Sequence, residues 1–150
     1  MKMKNSVSTL LAAFVLLLSA SQTLIAGEAN KHFNQGYEKH LNGDLNSAIK
    51  DYSKAIEHDP RFAMAYQMRG AAWQRMKAFD KAINDFSMVI AFGEAAFQAV
   101  GYYNRGIAKN MSGDFSGAIP DFGQAILLDK KMATVCQRSE ERRVGKECRS

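Results

Sequence analysis

An all-α chain of stacked helix pairs is the fold class this sequence predicts, on three observations. First, Gly36, Ala48, Tyr52, Ala55 and Pro60 recur 34 residues later as Gly70, Ala82, Phe86, Val89 and Glu94. A further shift of 36 gives Gly106, Ala118, Phe122, Ala125 and Lys130. Second, Ala48, Ile49, Tyr52, Ala55 and Ile56 fall at i, i+1, i+4, i+7 and i+8, one stripe of an α-helix, and the stripe repeats from Ala82 and Ala118. Third, Asn42-Gly-Asp44, Lys77-Ala78 and Ser112-Gly-Asp114 are short turns of the kind that join antiparallel helices. A fixed period near 34 residues marks a repeat architecture, in which no unit buries its apolar face alone.

Taken in order, residues 1–26 read as a signal peptide. Lys2 and Lys4 form a basic n-region, Leu10–Leu18 an apolar stretch, and Ser19–Ala26 a run rich in small residues. Nine strongly apolar residues would rise only ~14 Å as a helix, against a hydrocarbon core of ~30 Å. That length suits export and does not span a membrane. Ala20, Ser21 and Ala26 are the acceptable cleavage residues, with Ala26 favoured. The expected address is the periplasm or the exterior of a bacterial cell.

The repeat units are then expected at 29–62, 63–96 and 99–132, each a helix, a turn and a second helix. First helices carry Phe33/Tyr37, Tyr66/Gly70/Trp73 and Tyr102/Gly106; second helices carry Ala48-Ile-Lys-Asp-Tyr52, Ala82-Ile-Asn-Asp-Phe86 and Ala118-Ile-Pro-Asp-Phe122. Gly and Ala at fixed points let two helix backbones approach closely. Pro60, lacking an amide donor, ends the first unit. Residues 133–137 read as the start of a further repeat or a capping helix cut short, which would leave part of the Ile119/Phe122/Ile126 stripe uncovered and open to self-association. Residues 138–150 back-translate without mismatch to a short-read sequencing adapter, so this segment reads as a non-native tail.

Tyr66, Arg69-Gly70, Trp73, Ala82 and Phe86 resemble the tetratricopeptide-repeat (TPR) pattern of aromatic-x2-Leu-Gly-x2-Tyr, then Ala-x3-Phe, then Pro. The resemblance covers about residues 29–132. It departs where Lys39 and Lys109 replace an aromatic, where Glu94 and Lys130 replace the proline, and where two residues are inserted near Phe92–Gln98. It implies a right-handed α-solenoid of three helix-turn-helix repeats whose first helices line a concave groove for a protein or peptide ligand. Carried over position by position, that groove would be lined by Phe33, Tyr37, Met64, Gln67, Arg75, Tyr103, Ile107 and Met111, with Asn30 and Ala71 beside them. The chaperone-binding subclass holds a C-terminal carboxylate with a Lys/Asn/Arg clamp. Here Phe33, Tyr37, Met64 and Met68 stand in those places, so the expected ligand is apolar or amphipathic.

Composition narrows the alternatives. The formal charge of +5 falls to +1 for residues 27–137, which carry 13 basic and 12 acidic side chains. A nearly neutral body lacks the electrostatic footprint of a nucleic-acid binder, and the 34-residue period and export signal argue against an RNA-binding helical repeat. His32, His40 and His58 show no metal-ligand spacing, and no catalytic set or phosphate loop is visible. No metal, cofactor or catalytic residue is therefore expected, and the carboxylates are read as lying along solvated helix faces. The remaining alternative is a docking module of a larger enzyme or assembly component.

Overall fold

The computed structural model describes residues 26–128, and every described element is helical. Residues 1–25 of the signal segment, the end of the third repeat at 129–132, the stretch 133–137 and the tail 138–150 lie outside the described residues. The helices are α1 (26–41), α2 (Leu45–His58), α3 (Ala63–Arg75), α4 (Phe79–Phe92), α5 (Ala95–Ser112) and α6 (Phe115–Leu128). They fall into two compact units divided after Arg61, the first holding α1 and α2 and the second α3 to α6.

In the first unit, α1 and α2 pack through Gly36 and Tyr52. A Cβ on Gly36 would stand 2.9 Å from the Tyr52 ring, and Tyr52 is fully buried. Burial also pushes the Tyr52 hydroxyl pKa up to about 12, with a smaller contribution from Tyr37. The same close approach recurs in the second unit, where Gly70 faces the Phe86 ring and Gly106 the Phe122 ring, each 2.8 Å from a built Cβ. Within this unit α4 packs against both α3 and α5, and α6 packs against α5. Ala82, Phe86 and Ala108 form its core, covered by Trp73 and Ile83. The insertion expected near Phe92–Gln98 lengthens a helix: α5 starts at Ala95 and runs 18 residues, against 13 for α3.

All three turns close α-helices in the same way. The amides of Gly43, Lys77 and Gly113 bond the carbonyls of His40, Gln74 and Asn110, and the next amide bonds Lys39, Trp73 and Lys109. This pair of bonds places the turn residue in the left-handed region, at φ 82° for Gly43 and 93° for Gly113. The middle repeat has Lys77 there, at φ 61°. It also has Ala78 at the N-cap, where Asp44 and Asp114 elsewhere accept from the amides of Ser47 and Gly117. The Ser47 bonds hold the Asp44 carboxyl below its ordinary range. The middle turn has neither the strain-free glycine nor the capping carboxylate. Lys77→Gly with Ala78→Asp is expected to raise stability by ~1–2 kcal/mol in denaturant unfolding. An unchanged midpoint would contradict this account of the turn.

Candidate functional site: the first-helix faces

Each first helix divides into sectors set by its 3.6-residue turn. The glycine, at Gly36, Gly70 or Gly106, faces the second helix of its own pair. About 60° to one side, by the ~100° step per residue, stand Phe33, Gln67 and Tyr103; at about 100° stand Tyr37, Ala71 and Ile107; at about 120–140° stand Met64, Arg75, Leu41 and Met111. The expected groove residues therefore do share one flank of their helices. They do not share one environment.

Residues at 60° are half-buried, and the two aromatics among them meet the partner helix. The Phe33 ring lies 5.7 Å from Tyr52 and 6.4 Å from Tyr37, and the Tyr103 ring lies 6.0 Å from Phe122. These two aromatics help build the core of their own repeats. Gln67 holds Oε1 out of solvent with no hydrogen-bond partner among the described residues. Farther round, Tyr37, Met64 and Met111 are 43%, 42% and 53% exposed, Arg75 is exposed and Ile107 half-buried. In the second unit the Gln74 amide donates to the Met111 sulfur at 3.5 Å, which joins α3 and α5 on this face. In the second unit the open part of the flank thus consists of thioethers, an aliphatic and an amide, with Arg75 at its edge; in the first unit it presents the Tyr37 ring.

The opposite flank departs from the expected solvated carboxylates: Asp51, Asp85 and Asp121 are only 6%, 5% and 3% exposed. Each sits three residues after the repeat alanine and receives cations from the first helix. Lys39 pairs with Asp51; Arg69 donates from Nε and Nη2 to Asp85 at 2.8 and 2.7 Å. Arg105 donates in the same two-pronged way to Asp121 at 2.9 and 2.6 Å, and Lys109 adds a third contact at 2.8 Å. The cation comes from one position before the glycine, from three positions after it, or from both. This explains Lys39 and Lys109, which stand where an aromatic was expected: they neutralise a buried carboxylate. The middle repeat keeps Trp73 and relies on Arg69, while Lys81 lies 4.3 Å over the Trp73 ring.

For Asp121, burial alone would raise the pKa, but the hydrogen bonds from Arg105 and Lys109 outweigh it and hold the carboxyl below its ordinary range. The stability this contributes is present above the unfolded-state value near pH ~4 and is lost as pH falls through the lower folded value. Arg105 also donates Nη1 to Ser87 Oγ at 3.1 Å, tying α5 to α4. Paired with buried carboxylates of the second helices, the cations of this flank are structural.

No family model matches the chain. Among curated proteins it is similar to the TPR repeat-containing thioredoxin TDX of Arabidopsis thaliana, 29% identical over 125 residues, covering 77% of this chain and 32% of that protein. It is also similar to Hsc70-interacting protein 1 of Drosophila melanogaster, 35% identical over 85 residues, covering 57% and 22%. The chain thus spans a third or less of the length of these relatives. Among solved structures, the N-terminal domain of stress-induced protein-1 from C. elegans superposes with a TM-score of 0.70 at 20% identity, covering 77% of this chain and 97% of that one. The first TPR of Spaghetti (RPAP3), bound to the HSP90 peptide SRMEEVD, superposes with a TM-score of 0.69 at 23% identity, covering 83% and 96%. The fold is that of these all-α helical repeats, and the relatives it is similar to include proteins named for their tetratricopeptide repeats.

Proposed function

We propose that this chain is an exported scaffold that binds an apolar or amphipathic segment of another protein along the open flank of α3 and α5, the first helices of its second unit. The observation that carries the reading is the composition of that flank. Met64, Ile107 and Met111 stand on it without a charged neighbour except Arg75, while the charges of the opposite flank are spent on internal ion pairs. Flexible thioether and aliphatic side chains adapt to apolar ligands, and a few of them dominate the affinity of such a surface. The RPAP3 domains in the comparison hold an acidic peptide. Met64 and Met68, which stand here where the chaperone-binding subclass has its clamp, favour a less acidic one. Export rests on the basic n-region and short apolar stretch of residues 1–26.

A library of displayed random peptides, panned against chain recovered from the periplasm about 26 residues shorter than the full sequence, provides the test. Met64→Glu with Met111→Glu should weaken the selected peptides by ~2 kcal/mol or more while leaving the fold intact, since both side chains are exposed. High salt should change affinity little. Failure to select any peptide, or selected peptides indifferent to this pair, would refute the assignment. A docking module within a larger protein is the second reading, favoured because relatives such as serine/threonine-protein phosphatase 5 match over only 15% of their length.

A further inference from the structure

The last described helix presents a second surface. On α6, Phe115, Ile119 and Leu127 are 62%, 71% and 75% exposed, and Ile126 is also exposed. Ser116, Pro120 and Gly123 complete this side, and a Cβ on Gly123 would have no atom within 4 Å. The only charged residue of α6 is Asp121, which is buried and paired. On α4 the positions of Phe115, Ile119, Gly123 and Ile126 are held by Phe79, Ile83, Ser87 and Ile90, all half-buried, with Gly101 of α5 closing on Ile90, whereas the positions of Ser116, Pro120 and Leu127 are held by the exposed Asp80, Asn84 and Ala91.

We propose that this face pairs two copies of the chain, α6 against α6 in antiparallel register about residue 121. The face carries a ridge, Ile119 and Ile126, beside a furrow, Ser116 and Gly123, and both sets are seven residues apart. A two-fold axis at residue 121 sets Ile119 opposite Gly123 of the other copy and Ile126 opposite Ser116. The same axis sets Phe115 opposite Leu127. One register thus satisfies every ridge with a furrow, and no charge is buried. An interface of this kind is closed by its own symmetry. Head-to-tail stacking is disfavoured by the other end of the chain. Lys31 and Glu38, both exposed, hold in α1 the places taken by the buried Ala65 and Ala72 in α3 and by Gly101 and Ala108 in α5.

Sedimentation velocity of the full chain over a wide concentration range should show a monomer–dimer equilibrium. Gly123→Glu should weaken it by about 100-fold or more, because each copy would bring an unpaired carboxylate into an apolar contact. Its circular dichroism and melting midpoint should be no worse than the parent's, since the site is open. In a Cys136→Ser, Cys148→Ser background, chains carrying Ile119→Cys and Gly123→Cys should form a mixed disulfide when combined. A monomer at every concentration overturns the proposal, whether the face stays bare or is covered by residues 129–137. A dimer that survives Gly123→Glu, or one that yields no mixed disulfide, overturns it as well.

Discussion

Arg69→Met should destabilise the protein by about 3 kcal/mol, because it strands the Asp85 carboxylate in the core of the middle repeat. Asp85 is 5% exposed, and Arg69 donates to both of its carboxylate oxygens. An unpaired carboxylate there must protonate or draw water into the α3–α4 contact, and both cost free energy. Arg69 retains some exposure, so the lower end of the ~3–5 kcal/mol range for a broken buried pair applies. Arg105→Met should cost only ~1 kcal/mol in comparison, since Lys109 remains 2.8 Å from Asp121. Arg69→Met with Asp85→Leu should recover most of the loss, as the carboxylate is then gone and its volume is filled. Urea unfolding followed by circular dichroism checks all three. Equal losses for Arg69→Met and Arg105→Met would show that Lys109 does not substitute for the arginine.

Ala82→Leu is the second large effect. Ala82 is fully buried between Phe86 on its own helix and Ala108 on α5, and α4 is held on both sides. Three extra carbon atoms have no space at this crossing, so overpacking should cost ~1–3 kcal/mol. Asn84→Ala, on the exposed side of the same helix, should stay within about ±0.5 kcal/mol. Lys81→Ala falls between them, because the amine lies over the Trp73 ring. That contact contributes ~0.5–1 kcal/mol at an exposed site. Similar small effects for Ala82→Leu and Asn84→Ala would remove the close crossing.

The helices and their pairing were legible because the apolar stripe, the glycines and the turn residues are local signals repeated three times. Ala48, Ala82 and Ala118 announce the close approaches, and Gly43 and Gly113 announce the left-handed turns. The buried aspartates were not read, since a single Asp in a helical stripe looks the same whether it is solvated or paired. A signal was present nonetheless. Lys39, Arg69, Arg105 and Lys109 fall only one residue before or three after the repeat glycine, and each unit with its aspartate has at least one. Phe33 and Tyr103, expected to line a groove, lie half-buried against Tyr52 and Phe122. At about 60° from the glycine an aromatic ring reaches the partner helix, whereas Met64 and Met111, farther round, do not.

Methionine methyl groups report on both sides of the molecule at once, which makes their NMR signals the most direct test of the binding face. Met64 and Met111 stand on the open flank of α3 and α5, Met88 is exposed on α4, and Met76 lies at the turn after α3. Titrating a selected peptide into chain labelled at the methionine methyls should shift Met64 and Met111 and leave Met88 and Met76 in place. Shifts confined to Met88 would move the ligand to the second helices and contradict the account.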